Sequence, residues 1–95
     1  MMLLNRVNNK GQQYRLREIF GLPEKIHVET GKKSMIFNAS IHAMNDAWYK
    51  WMDGYFIQEA FHFLTPEERE FLITGITPDE WNEIFKDGDN GSNVQ

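Results

Sequence analysis

The sequence has no cysteine, three prolines and no apolar run long enough to span a membrane. Without cysteine there can be no disulfide, thiolate nucleophile or thiolate metal ligand, so packing alone must stabilise the fold. The apolar start at residues 1–4 is followed by Asn5 and Arg6 and is too short for the apolar part of a signal peptide. We therefore expect a cytoplasmic protein that does not enter a membrane.

The 95 residues are enough for one domain and exclude a two-domain enzyme with separate cofactor and substrate domains. With 41% hydrophobic and 25% charged residues, the chain is typical of a globular protein. We predict a single domain at residues 13–86. Residues 1–12 are expected to be flexible or to form an edge strand, and the polar, glycine-rich residues 87–95 to form a disordered tail.

Charge is divided unevenly along the chain. Residues 1–50 contain eight Lys and Arg against four acids, whereas residues 51–95 contain two against ten. This division is typical either of a dipolar solubility pattern or of two partner-binding surfaces of opposite sign. Because the acidic half repels phosphates and the basic residues are scattered, we expect no direct nucleic-acid contact.

The region before residue 26 has an ambiguous period. In the segment 13–20, Tyr14 and Leu16 alternate as in a strand, while Leu16, Ile19 and Phe20 recur as on one side of a helix. We favour a short helix.

Residues 26–37 alternate as in a β-hairpin. A four-residue loop from Thr30 to Lys33 places Val28 opposite Met35 on the apolar side, whereas a two-residue loop at Thr30 and Gly31 would place Val28 opposite Lys33. The longer loop is the better match.

The segment after Ser40 has the pattern of an amphipathic helix at about 40–53. Ser40 is a good N-cap, and an apolar stripe recurs at steps of three and four residues. The stripe consists of Ile41, Met44, Trp48, Trp51 and Tyr55. Gly54 favours a break before a second helix at about 55–64, although one continuous helix from 40 to 64 remains an alternative.

A twelve-residue repeat starts two further helices, at about 66–74 and 78–86. In each copy Thr is the N-cap, Pro takes the first helical position, and Glu three residues after Thr completes a capping box. Gly75 is placed to end the first helix. The fold class expected from all these elements is α+β but mainly helical, with a small β-hairpin packed on a bundle of about four helices.

No motif for catalysis or metal binding is present. The three histidines lie on different predicted elements, and no nucleophile elbow or phosphate-binding glycine loop occurs. We therefore expect a protein that is not an enzyme and holds no cofactor and no metal.

The run from Trp51 to Phe85 resembles a pattern found in short uncharacterised proteins of bacterial viruses. The pattern combines a Trp and Gly, an Ile-Gln-x-Ala-Phe segment, an Arg-Glu-Phe segment, a Thr-Gly-Ile-Thr segment and a Glu-Trp pair before a final Phe. The matching residues are Trp51, Gly54, Ile57, Gln58, Ala60, Phe61, Leu64, Arg69, Glu70, Phe71, Thr74, Gly75, Ile76, Thr77, Glu80, Trp81 and Phe85. Members often have Pro where this chain has His62. The resemblance implies a phage-type accessory protein of the host cytoplasm and carries no mechanism.

The function expected from these patterns is binding of a host or viral protein through the acidic C-terminal helices, with nucleic-acid mimicry and inhibition as one form of it. Among the candidate residues, we do not expect folding alone to require Gln58 or the Arg69-Glu70 pair. The candidate contact residues are Gln58, Glu59, Glu67, Glu68, Arg69, Glu70, Asp79, Glu80 and Glu83. The alternative is a self-assembling structural or scaffold protein, such as a homodimer, that uses its aromatic helix.

Overall fold

The computed structural model describes residues 2–83. Residues 78–83 form a helical segment, and the predicted continuation of this helix to residue 86 and the predicted tail at 87–95 lie outside the described residues. The other elements are the strands β1 (Leu3–Val7), β2 (Gln13–Ile19), β3 (Leu22–Thr30) and β4 (Lys33–Phe37) and the helices α1 (Ile41–Met52), α2 (Ile57–Ala60) and α3 (Pro66–Thr74).

The four strands form one antiparallel sheet in the order β1-β2-β3-β4. The prediction of a mainly helical bundle with a small hairpin is therefore wrong, since strand and helix contribute comparable shares of the chain. The predicted hairpin at 26–37 corresponds to the last two strands of this sheet. A lone hairpin is marginally stable in water, and here β2 pairs with the other side of β3.

The strand β2 replaces the short helix favoured for residues 13–20. Tyr14 and Leu16 are buried and Arg15 and Arg17 are exposed, which is the two-residue period of a half-buried strand. The segment forms a strand rather than a helix because its backbone pairs with a strand on each side, β1 and β3. Of the two alternatives for residues 1–12, the structure shows the edge strand, as β1.

The register of β3 and β4 agrees with the predicted one. Val28 lies opposite Met35 and Ile26 opposite Phe37, so the apolar side chains share one face. Thr30 also pairs with Lys33, and the connection is therefore a two-residue loop at Gly31 and Lys32 rather than the four-residue loop.

The helix α1 begins at the predicted N-cap. The Ser40 hydroxyl accepts a hydrogen bond from the Ala43 N–H at 3.1 Å. The chain breaks after α1 at Gly54, which has a φ of 107° that favours glycine. The second helix, predicted at 55–64, is reduced to the four residues of α2.

The core lies between one face of the sheet and the helices, with α1 across β2 and β3 and α3 against β4. Trp48 and Trp51 are both buried in it, as are the largest sheet side chains, Tyr14 and Phe37. The opposite face of the sheet carries exposed or half-buried side chains and is here called the open face. It comprises Leu3, Asn5, Val7, Arg15, Arg17, His27, Glu29, Ser34 and Ile36.

Candidate functional site

The start of α3 has the predicted capping box. The Thr65 hydroxyl accepts a hydrogen bond from the Glu68 N–H at 3.1 Å, and the Glu68 carboxylate accepts one from the Thr65 N–H at 2.9 Å. Gly75 ends the helix in the left-handed conformation, with a φ of 78°. These bonds fix the direction of α3 and with it the side on which its remaining acids lie.

Glu68 is not a surface carboxylate. Its side chain is buried, and its second oxygen accepts a hydrogen bond from the Asn38 N–H at 3.1 Å. Both oxygens of Glu68 therefore bind backbone N–H groups, one in its own helix and one after β4. This candidate residue serves folding and is not available to a partner.

Arg69 also serves folding, contrary to the expectation that folding does not require it. Its guanidinium donates hydrogen bonds to the carbonyl oxygens of Leu64 at 2.7 Å and Phe61 at 3.3 Å. These carbonyls lie in the turn between α2 and α3, where the Phe61 carbonyl also accepts a hydrogen bond from the Leu64 N–H at 3.0 Å. Arg69 therefore closes this turn.

The second capping box holds Glu80. Its carboxylate accepts a hydrogen bond from the Thr77 N–H at 2.9 Å and forms an ion pair with Lys33 at 3.0 Å. The Thr77 N–H and then Lys33 hold the pKa of Glu80 below its usual value, because both stabilise the charged form. Glu80 thus joins the helical segment 78–83 to β4.

A groove of about 470 Å³ lies between α3 and the helical segment 78–83. We call it the acidic groove. Glu67 and Glu70 lie three residues apart, on adjacent turns of α3, which brings side chains about 5–6 Å from each other on the helix surface. Glu67 is exposed, and Glu70 and Trp81 are half-buried. The groove is lined by Pro66, Glu67, Glu70, Pro78, Trp81 and Asn82.

The remaining exposed candidates do not line this groove. Gln58 and Glu59 are exposed on α2, and Asp79 and Glu83 are exposed on the helical segment 78–83. Of the nine predicted contact residues, the structure therefore brings Glu67 and Glu70 together in one groove.

Four lining residues were not among the candidate contact residues, namely Pro66, Pro78, Trp81 and Asn82. The two prolines take the first helical positions after the Thr N-caps, and Trp81 belongs to the pattern that residues 51–85 resemble. The twelve-residue repeat is the sequence feature that could have predicted the groove. Two helices that begin with the same motif and pack together bring their first turns to one groove.

A second exposed surface lies where α1 ends. The aromatic stripe of α1 is buried, but Tyr49 is 64% exposed and Phe56 is 71% exposed. Met52 and Tyr55, which lie between them in the chain, are about half exposed. We call these four residues the aromatic patch.

A hollow of about 400 Å³ lies on the open face and is open to solvent. Polar side chains line most of it, among them Asn5, Arg6, Gln13, Arg15 and Glu29. Within residues 2–83 no three His, Asp or Glu side chains are placed to hold a metal ion. Nor does any helix in that range have the length and apolarity needed to cross a bilayer.

Comparison with known proteins adds no relative. No family model matches the sequence, and no curated protein or solved structure is significantly similar to it. The resemblance to short phage proteins therefore stays a prediction, and function has to be argued from the geometry.

Proposed function

We propose that the protein is a non-catalytic protein-binding module whose acidic groove receives a basic segment of a partner protein. The observation that carries this proposal is the pair of carboxylates, Glu67 and Glu70, that line one groove beside Trp81. Within residues 2–83 neither carboxylate has a hydrogen bond or an ion pair, in contrast to those of Glu68 and Glu80.

The chemistry of the groove suits arginine better than lysine. An arginine side chain has a planar fork that binds carboxylates through two hydrogen bonds, and its face stacks on aromatic rings. Glu67 and Glu70 supply the acceptors, while Trp81 and the two prolines supply apolar surface for the side-chain stem. The acid excess of residues 51–95 would also steer a basic partner towards this side.

This proposal is narrower than nucleic-acid mimicry. Mimicry needs an array of free carboxylates. The first turns of α3 and of the segment 78–83 contain four acids, Glu67, Glu68, Asp79 and Glu80, and two of them, Glu68 and Glu80, are bonded within the fold. The proposal therefore concerns a short basic segment rather than a whole nucleic-acid-binding surface.

The test is a titration of the ¹⁵N-labelled protein with a peptide that has arginines at alternate positions. We expect saturable shifts at the amides of Glu67 and Glu70 and at the Trp81 indole, which weaken as salt is raised. The double variant Glu67→Gln/Glu70→Gln should lose them. Asp46→Asn/Asp53→Asn is the matched control, since both residues are exposed on or next to α1 and the change in charge is equal. Equal losses in the two variants would disprove a specific site.

A second candidate function is self-assembly through the aromatic patch. The high exposure of Phe56 and Tyr49 favours it, because large aromatic side chains dominate the energetics of protein interfaces. Association of this kind should resist salt and should be lost in Tyr49→Ser/Phe56→Ser, as measured by sedimentation equilibrium.

A further inference from the structure

The open face carries two arginines, Arg15 and Arg17, which lie two residues apart on one strand. Its side chains form two cross-strand rows, and each row contains an arginine of the inner strand β2. One row is Leu3, Arg17, His27 and Ile36, and the other is Asn5, Arg15, Glu29 and Ser34. Within residues 2–83 the helices pack on the other face of the sheet. The exposed side chains of Arg15 and Arg17 are therefore directed away from the core.

Arg15 and Arg17 are spaced to meet a pair of carboxylates. Residues two apart on a strand point to the same side and are separated by about 6.7 Å. Glu67 and Glu70, three apart on a helix, are separated by about 5–6 Å at their Cβ atoms. Long arginine side chains easily span this small difference, so two arginines of a strand can meet two acids of a helix.

The contacts that Arg15 and Arg17 make within the fold are weak enough to leave both side chains available to carboxylates of another molecule. Arg15 lies 3.7 Å from Glu29 with its side chain 59% exposed, and an exposed ion pair of this kind contributes little. Arg17 lies 3.4 Å from a ring nitrogen of His27. Exposed Leu3 lies next to Arg17 in its row, and exposed Ile36 lies at the other end of the row beyond His27; both could contact the prolines of the groove.

We propose that the basic segment received by the acidic groove is strand β2 of a second copy of this chain. Arg15 and Arg17 of one copy would bind Glu67 and Glu70 of the next. The inference rests on the proposed function, because it names the partner of the same groove. Charge complementarity carries it: the open face bears two arginines against the single carboxylate of Glu29, and the groove bears two carboxylates.

The contact is heterologous, since it joins two different surfaces. Each copy keeps one unused open face and one unused groove, so association continues from head to tail into short chains or closed rings. A contact made of exposed charges should weaken steeply with salt.

The experiment measures mass by sedimentation velocity on the full chain at low and high salt. The wild type should exceed the monomer mass as concentration rises at low salt and return to it at high salt. Arg15→Glu/Arg17→Glu and Glu67→Lys/Glu70→Lys should each weaken association about tenfold or more. Their equimolar mixture should associate again, because the first keeps an intact groove and the second an intact open face.

The controls are charge reversals of equal size elsewhere: Lys10→Glu/Lys50→Glu and Asp46→Lys/Asp53→Lys, all of exposed residues. They should associate like the wild type. A monomeric wild type at every concentration, a mixture that stays monomeric, or salt-resistant association lost in Tyr49→Ser/Phe56→Ser would overturn the inference. Peptide binding by a monomeric wild type would overturn this inference alone. Absence of peptide binding to Arg15→Glu/Arg17→Glu, whose groove is intact and not filled by a second copy, would refute the proposed function.

Discussion

The helix α3 and the helical segment 78–83 begin with the same motif but are anchored differently. Both have a Thr N-cap and a Glu three residues later that bonds back to it. In α3 that glutamate is buried and also binds Asn38, whereas in the segment 78–83 it is half exposed and pairs with Lys33. A local motif thus determines where a helix starts and leaves open how firmly the helix is held.

The C-terminal end of α3 is also held by hydrogen bonds from the rest of the fold. The Tyr14 hydroxyl donates a hydrogen bond to the Phe71 carbonyl at 2.6 Å, and the Asn8 amide donates one to the Leu72 carbonyl at 3.0 Å. These are carbonyls of the last turns, so the sheet side of the molecule binds α3 at both ends. We expect α3 to unfold only with the whole domain.

The largest effect is expected from Glu68→Ala. It removes a buried carboxylate that accepts two hydrogen bonds, from the N–H groups of Thr65 and Asn38, which should cost about 2–4 kcal/mol of the free energy of unfolding because bonds to a charged group are the stronger ones. Urea denaturation followed by circular dichroism measures the loss. Glu80→Ala is the matched change in the other box and should cost clearly less; an equal loss would remove the contrast between the boxes.

The next effect concerns Tyr14. Removing its hydroxyl in Tyr14→Phe should cost about 1–2 kcal/mol, since a buried hydrogen bond is lost. Burial raises the pKa of Tyr14 to about 12, although the hydrogen bond with Asn8 acts in the opposite direction. A raised pKa contributes stability below pH 10 that disappears as pH rises from about 10 to 12.

The wild type should therefore lose more stability over that alkaline range than Tyr14→Phe does. Tyr49 and Tyr55 are exposed and are retained in both proteins, so they serve as an internal control. Parallel pH profiles for the two proteins would show that Tyr14 does not contribute in this way.

Removing the two N-caps should separate global from local stability. Thr65→Ala and Thr77→Ala each remove one capping bond, worth about 1 kcal/mol. We expect Thr65→Ala to lower the midpoint of global unfolding. Thr77→Ala should mainly accelerate hydrogen exchange at residues 78–83 and leave that midpoint nearly unchanged. A global shift of equal size in both variants would show that the two helices are held alike.

The smallest effect is expected from Lys33→Gln. The Thr77 N–H contributes most to the lowered pKa of Glu80, so this pKa should rise only part of the way to its usual value. A lowered pKa contributes stability at neutral pH that is lost as pH falls through it. NMR titration of the Glu80 carboxyl measures the change. Return of the pKa to its full usual value would make Lys33 the main cause.

The sequence predicted some of the residues that line the acidic groove. Glu67 was predicted from the acidic first turn of a helix, but so were Glu68 and Glu80, and local spacing cannot tell which of them is free. Glu70 was singled out with Arg69 because folding alone was not expected to require the pair. Whether each is free depends on what packs against it. Strand β2 was missed for the same kind of reason, because its stability comes from β1 and β3 rather than from its own ambiguous period.

Patterns within the sequence were sufficient for both capping boxes, the N-cap at Ser40, the end of α3 at Gly75 and the register of β3 and β4. Each rests on residues close together in the chain, so the physics acting on them is local. The tertiary structure decided the four-stranded sheet, the burial of Glu68 and the exposure of Arg15 and Arg17 on an open face. Those features depend on contacts between distant residues, such as the bond between Asn38 and Glu68 thirty positions apart, which form only when the whole chain packs.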